Sequence, residues 1–196
     1  MKYELEQELP IPTLNGQKII LRPCKLGDFE AIRKHRQDPE NRRYIGPPED
    51  DSTTREIVEL LCEPWKLVSG RWNGFVICLP KNTDKAIGEI VFKIDDWENQ
   101  RFEIGFQIHH SAAGKGICTE AAQLLINHLF SDFGVFKVVA KCDPRNIASY
   151  KVMEKLGMKK EAVFKQHYRI GDEWTDQLDY GLLASEWVDS THPNII

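Results

Sequence analysis

The chain has 196 residues, with 26 Lys and Arg against 30 Asp and Glu and a formal net charge of −4, a composition typical of a soluble globular protein. It contains no apolar run of the roughly 18 residues needed to span a bilayer and no basic segment followed by an apolar one at its amino terminus, so we expect a cytoplasmic protein with no membrane partner. The five cysteines are never spaced as CxxC, which argues against a metal site or a disulfide framework, and the slight acidity argues against direct nucleic-acid binding.

The first third of the chain predicts one strand and two helices. Residues 17–23 (QKIILRP) have the composition of a strand. Apolar residues then recur at intervals of three or four, which predicts helices from Asp28 to Asp38 and from Thr53 to Gly70. A proline after Asp38 ends the first helix, and Thr53 begins a capping-box pattern for the second.

Three strands are predicted next, at residues 72–79, 86–94 and 101–109, separated by the turn-like segments KNTD and DDWENQ. Such short connections favour an antiparallel meander. The third strand alternates apolar and polar residues throughout, so Glu103 and Gln107 share its polar face.

The remainder of the chain alternates helices and strands. Helices are predicted from Ile117 to Leu129 and over Ile147–Leu156, and strands over 136–142, 162–168 and 177–183. A strand–helix–strand unit favours locally parallel pairing, whereas the meander is antiparallel. The sequence therefore predicts an α+β protein with a mixed, mostly antiparallel sheet and helices on both faces. No linker interrupts the chain, so we expect a single domain over residues 1–196.

Residues 109–121 (HHSAAGKGICTEA) place two glycines around Lys115, directly after a strand and before a helix. Glycine lets a backbone approach a ligand closely, and the free amides at a helix start favour a phosphate. The segment lacks the Walker A pattern, and Thr119 occupies the third glycine position of a dinucleotide fingerprint. From these residues alone, a tight structural turn explains the segment equally well.

Together with NIASYKVMEKLGMKKEA, the segment FEIGFQIHHSAAGKGICTEA resembles the GNAT superfamily of N-acetyltransferases. It is more closely similar to the branch of ribosomal-protein N-terminal acetyltransferases. The resemblance extends over about residues 15–187. It implies a GNAT-like fold with a splayed strand pair, and acetyl-CoA as the co-substrate.

The family's phosphate loop follows Q/R-x-x-G-x-G/A, a pattern that residues 113–118 occupy here. Gly116 matches, whereas Ala113 and Cys118 depart from it. The resemblance also implies that main-chain groups of the strand before the loop bind pantetheine, and that the NIAS segment lies near the thiol. The implied cofactor residues are Phe106, Gln107, Ile108, Ala113, Gly114, Lys115, Gly116, Ile117, Cys118, Thr119, Asn146 and Ser149.

Three residues are candidates for the chemistry of acetyl transfer to an amine. Glu103 matches the glutamate of the family's E-I-G-Y segment and is the candidate general base, acting through water; the alternative is a carboxylate paired with Lys or Arg across the sheet. Ser149 and Tyr150 are alternative proton donors to the leaving thiolate, with Ser149 preferred. Cys118 is interpreted as a small residue tolerated in the loop rather than as a nucleophile. No metal is expected, because the neighbours His109 and His110 should face opposite ways on a strand.

The acceptor is expected to be a primary amine. The resemblance favours a protein N-terminal α-amino group, and the alternatives are a small-molecule amine or a non-catalytic acyl-CoA-binding module. A monomer or homodimer is expected. The acidic segment 49–51 could attract a cationic amine, but a solvated loop is the preferred interpretation of it. The aromatic candidates for acceptor contacts are Tyr44, Trp65, Trp72 and Trp174.

Overall fold

The computed structural model describes residues 4–187, so the two ends of the predicted domain, 1–3 and 188–196, lie outside it. The strands are β1 (Glu8–Leu9), β2 (Leu14–Asn15), β3 (Ile20–Arg22), β4 (Trp65–Lys66), β5 (Asn73–Leu79), β6 (Asn82–Asp96), β7 (Arg101–Ile108), β8 (Lys137–Cys142), β9 (Lys159–Ile170) and β10 (Glu173–Leu183). The helices are α1 (Phe29–Arg36), α2 (Pro39–Arg42), α3 (Asp51–Cys62), α4 (Ile117–His128) and α5 (Ile147–Lys155).

Eight strands form one sheet in the order β2-β3-β5-β6-β7-β8-β10-β9, and β1 pairs with β4 in a separate two-stranded ribbon. All neighbours in the large sheet are antiparallel except β7 and β8. The short connections of the meander permit only antiparallel neighbours, whereas α4 crosses over between β7 and β8. The predicted α+β class and the mixed, mostly antiparallel sheet are confirmed.

The parallel pair β7–β8 is joined only at its beginning. Pairing starts at Arg101 with Lys137 and ends at Glu103 with Val139. Beyond that point β7 continues to Ile108 without pairing to β8, so one edge of each strand is left open in the middle of the sheet. This is the splayed pair that the resemblance implied.

Helices cover both faces of the sheet. On one face α4 and α5 bury Ala121, Leu125 and Met153 against alternate residues of the strands, including Phe92 and Phe102. On the other face, α1 and α3 form a smaller core whose members are Cys24, Ile32, Val58, Leu61, Val76, Cys78 and Ala86. The polar side of β7, which carries Glu103 and Gln107, lies on this second face because it alternates with Phe102 and Ile104.

Several predicted boundaries are wrong for identifiable reasons. Helix α3 begins at Asp51 rather than Thr53, because the Asp50 carboxylate accepts the Thr53 amide at 2.8 Å and caps the helix. It ends at Cys62 rather than near Gly70, because Trp65 and Lys66 pair with Leu9 and Glu8. Such a pairing depends on residues more than 50 positions away, which helical periodicity does not report.

The last hairpin is longer than its sequence pattern indicates. β9 and β10 are joined at Gly171–Asp172, where Gly171 has a φ of 58°.

None of the helices within residues 4–187 combines the length and apolarity needed to cross a membrane.

Candidate active site

A cavity of about 990 Å³ passes along the open edges of β7 and β8. Its walls include the loop before α4 and the start of α5 on one side of the sheet, and α1, α3 and the segment between them on the other. The gap between the splayed strands thus joins the two helical faces. A ligand lying in this cavity has access to both faces at once.

The turn before α4 has the geometry of an anion-binding loop. Gly114 and Gly116 have φ values of 77° and 76°, a left-handed conformation that favours glycine. Gly116 is the N-cap of the 12-residue helix α4 and offers no side chain to cap it. The first amides of a helix have no partner within the helix, so this turn leaves donors free for a ligand. The Lys115 ammonium donates to the Ser111 carbonyl at 3.1 Å, which braces the loop.

Lys18, which sequence reasoning did not single out, lies beside this loop. A Cβ atom added to Gly116 would be 3.5 Å from Lys18 Nζ. The Lys18 amide donates to Glu120 Oε1 at 2.8 Å, so the turn between β2 and β3 is fixed to the first turn of α4. Lys18 is about 100 positions from the loop in the sequence, so the sequence alone does not indicate that the two are neighbours.

The cavity wall on β7 is formed by residues Phe106, Gln107 and Ile108, as well as by Glu103. The Ile108 carbonyl accepts a hydrogen bond from Asn41 Nδ2 at 2.5 Å, and the amide of His109 donates to Ile87 O at 3.1 Å. These bonds tie the end of β7 to α2 and to β6. The edge of β7 toward β8 is therefore the one left open to the cavity.

At the start of α5, Asn146 caps the helix: its Oδ1 accepts the Ser149 amide at 3.2 Å. Asn146 and Ser149 both line the cavity. Burial raises the pKa of the Cys142 thiol to about 11, although the Ser149 side chain acts to lower it. Within the described chain, Tyr150 is not part of the cavity wall, and it packs instead against the core between α5 and the sheet.

Glu103 lies on the cavity wall with its side chain largely buried, and it carries two ion pairs. Its Oε2 is 2.8 Å from Lys141 Nζ and 3.3 Å from Lys93 Nζ. Lys93 also lies over the ring of Trp72, 4.5 Å from its centroid. The cross-strand pairing considered from the sequence is therefore present, and it fixes the carboxylate at the open edge of the sheet.

Cys118 lies in the first turn of α4, where the helix start would favour a thiolate. Burial instead raises the pKa of its thiol to about 12, so it is protonated near neutral pH. We therefore expect no acetyl-cysteine intermediate. Intact mass measurement after mixing the protein with acetyl-CoA, without an amine, should show no acetyl group on Cys118. An adduct there that an added amine removes would contradict this expectation.

The acidic segment 49–51 is not a free acidic rim. Glu49 pairs with Arg36 at 2.9 Å and with Arg42 at 3.0 Å, and Arg36 also pairs with the buried Glu89. Although burial opposes ionisation, the Arg36 guanidinium holds the pKa of Glu89 below its usual range. These four side chains compensate one another's charges beside the cavity.

The four aromatic candidates separate into two groups. Tyr44 and Trp72 line the cavity on the side of α1–α3. Trp65 is buried in the main core, with its ring 4.8 Å from that of Phe75, and Trp174 is 56% exposed on the final hairpin. The structure therefore brings only Tyr44 and Trp72 to the place expected from the sequence.

Comparison with known proteins agrees with this geometry. Residues 18–159 match the family model of the acetyltransferase (GNAT) domain. The uncharacterized N-acetyltransferase YnaD of Bacillus subtilis (strain 168) is 30% identical over 174 residues, which are 89% of this chain and 98% of YnaD. A crystal structure of a GNAT-family acetyltransferase from Bacillus anthracis aligns with a TM-score of 0.79 at 28% identity, covering 89% of this chain and all of that one.

A relative with a stated substrate class matches over a shorter stretch. The ribosomal-protein-serine acetyltransferase of Escherichia coli (strain K12) is 32% identical over 93 residues, which are 47% of this chain and 50% of that enzyme. The similarity to this enzyme thus extends over about half of each chain.

Proposed function

The chain belongs to the GNAT acetyltransferase family and is an acetyl-CoA-dependent N-acetyltransferase, and we propose that its acceptor is the α-amino group of a protein or peptide N-terminus. The observation that carries this proposal is the continuous cavity between β7 and β8, which joins the phosphate-binding turn to the face covered by α1 and α3. A thioester lying in the gap is open to an amine from that second face. The half-chain similarity to a ribosomal-protein-serine acetyltransferase supports a protein acceptor.

The residues of the chain fit coenzyme A. The left-handed glycines Gly114 and Gly116 and the uncapped start of α4 supply main-chain donors for the pyrophosphate. The open edge of Phe106–Ile108 supplies main-chain groups for the pantetheine arm, and Asn146 lies across the gap from it. In this arrangement the main-chain amides of the loop contact the pyrophosphate, so the loop needs no polar side chain at Ala113.

Acetyl-CoA supplies the thioester whose carbonyl carbon the amine attacks. Glu103 is proposed to accept the amine's proton through water, since its carboxylate is fixed on the cavity wall by Lys141 and Lys93. Ser149 is proposed to donate a hydrogen bond to the leaving sulfur. Tyr150 is partly buried and packs against the core, and we propose no role for it in proton transfer.

An α-amino group suits this site better than a lysine side chain. Its ordinary pKa is about 7.7–8.0, against about 10.4 for lysine, so a far larger fraction is neutral near pH 7. The ionised groups Arg36, Arg42, Glu49 and Glu89 compensate one another, so this part of the wall adds little net attraction for a cation. An amine that gives up its proton readily is then the better substrate.

Replacing Ser149 by Ala is expected to lower kcat about ten- to hundredfold, because a hydrogen bond to a charged sulfur is worth about 1.5–3 kcal/mol. The Kd of acetyl-CoA should change little. Tyr150→Phe is the matched control and should retain nearly full kcat. Steady-state kinetics with calorimetric measurement of the Kd tests both variants, and a larger loss in the Tyr150 variant would reverse the assignment.

Replacing Lys18 by Met is expected to raise the Kd of coenzyme A about fivefold at low salt, and less at high salt, because an exposed charge pair is worth up to about 1 kcal/mol and is screened. Lys81→Met removes an equally exposed lysine from the β5–β6 turn and should have no effect. Titration calorimetry at two salt concentrations measures the difference. Equal affinities of the two variants would exclude a phosphate contact by Lys18.

The proposed acceptor is tested by a thiol-release assay over three groups of amines. The groups are short peptides that differ in their first residue, polyamines, and aminoglycosides. We expect turnover with peptides that carry a free α-amino group and none with the same peptides blocked at the N-terminus. Preferred turnover of a polyamine or an aminoglycoside would contradict the proposed acceptor and leave the family assignment intact.

A further inference from the structure

Three potential metal ligands meet at one edge of the cavity. One ligand atom from each of Asp38, His109 and His110 lies within 4.8 Å of those of the other two. Asp38 Oδ2 is 2.7 Å from His110 Nδ1, and the two imidazole centroids are 4.2 Å apart. None of the three is among the residues proposed above as base, as hydrogen-bond donor to the leaving sulfur or as cofactor contacts.

The convergence contradicts the expectation that His109 and His110 face opposite ways. That expectation assumed a strand through residue 109, whereas β7 ends at Ile108 and a short 3₁₀ turn begins at His110. The change of backbone conformation between the two histidines turns both rings to the same side. A sequence-based argument from strand alternation fails because the strand ends one residue earlier.

The backbone that carries the three ligands is fixed before any metal binds. Asp38 Oδ1 accepts the Glu40 amide at 2.9 Å as the cap of α2. The His110 amide donates to Asn41 Oδ1 at 3.1 Å, and Ser111 Oγ lies 2.8 Å from His109 Nδ1. A second-shell contact of this kind orients an imidazole ligand.

We propose that Asp38, His109 and His110 form a binding site for Zn²⁺ or a similar divalent transition metal. Two imidazoles and one carboxylate are ligands that zinc commonly takes, and water completes a tetrahedral site with three protein ligands. Ligand atoms around tetrahedral zinc are about 3.3 Å apart. The present spacing of up to 4.8 Å therefore requires only small side-chain movements. A bound metal would take the place of the hydrogen bond between Asp38 Oδ2 and His110 Nδ1.

The site lies where the two sides of the cavity are tied together. Asp38 precedes α2, and the two histidines follow β7 and precede the phosphate-binding turn. Asn41 already links these segments through Ile108 O. A bound metal adds a second link between the acceptor side and the cofactor side of the cavity.

The test is a titration of the full chain with ZnCl2, followed by calorimetry and, with CoCl2, by visible absorption. We expect one Zn²⁺ per chain, a raised Tm, and the absorption bands of tetrahedral Co²⁺. Asp38→Asn keeps a good helix cap but removes the charged ligand, and it should weaken Zn²⁺ binding at least about tenfold. His110→Ala should do the same.

His167→Ala removes an exposed histidine from β9 and is the matched control, which should bind Zn²⁺ like the wild type. MgCl2, which prefers oxygen ligands, should give no binding. Equal Zn²⁺ affinity of the wild type and the Asp38 and His110 variants would place the metal elsewhere, as an adventitious ion only. That result, or no binding at millimolar Zn²⁺, overturns the proposal. Neither outcome depends on which amine is acetylated.

Discussion

Gly116→Asp is expected to raise the Kd of acetyl-CoA at least about 100-fold. Two effects add. A non-glycine residue disfavours, by about 1–2 kcal/mol, the φ of 76° in which the turn is proposed to bind the phosphates. A carboxylate beside the pyrophosphate adds like-charge repulsion of several kcal/mol. Each 1.4 kcal/mol is a tenfold change in Kd. Titration calorimetry with coenzyme A measures the loss without requiring an acceptor.

Two further variants separate strain from charge. Gly171→Asp introduces the same residue at another positive φ, 58°, with open space around it on the final hairpin. Gly171→Asp should lower the free energy of unfolding without changing the Kd of acetyl-CoA. Gly116→Ala adds the strain but no charge, so its Kd should lie between those of the wild type and Gly116→Asp. Unchanged affinity in Gly116→Asp would show that the turn before α4 does not hold the phosphates.

Glu103→Gln is expected to lower kcat about 100-fold while leaving the Kd of acetyl-CoA nearly unchanged, since general-base catalysis contributes about 10²–10⁴-fold. Glutamine keeps the size of the side chain but cannot accept the proton, so the loss should appear in kcat and not in the binding of acetyl-CoA. Steady-state kinetics and titration calorimetry with acetyl-CoA test this.

Asp95→Asn is the matched control for Glu103→Gln. Asp95 shares Lys141 with Glu103, at 3.5 Å, and also pairs with Arg101, but among the described residues it does not belong to the cavity wall. Asp95→Asn disturbs the same ion-pair network without removing the proposed base. It should therefore lower Tm while leaving kcat close to that of the wild type. If both variants lose activity equally, Glu103 orients the strand rather than accepting a proton.

The sequence predicted the parts of the site that depend on short stretches of chain. Strict alternation over 101–109 placed Glu103 and Gln107 on one face of β7, and the glycines at 114 and 116 indicated a turn open to a phosphate. The family resemblance added the splayed strands, which the pairing of β7 with β8 confirms. The first two features are each encoded within about ten consecutive residues, whereas the splayed pair joins strands on either side of α4.

The features that sequence reasoning missed join distant positions. Lys18 reaches Gly116 from the other end of the domain, and the pairing of β1 with β4 ends α3 early. The meeting of Asp38 with His109 and His110 depends on where β7 ends and on a helix cap about 70 residues away. No local periodicity carries that information, because side-chain contacts between distant segments are fixed by the packing of the whole sheet.

The most direct test of the account uses one peptide that carries both a free α-amino group and an internal lysine. The protein is incubated with this peptide and acetyl-CoA, and the product is sequenced by tandem mass spectrometry. We predict one acetyl group, on the α-amino nitrogen. Acetylation of the lysine instead, or no acetylated product while a polyamine is turned over, would contradict the proposed acceptor.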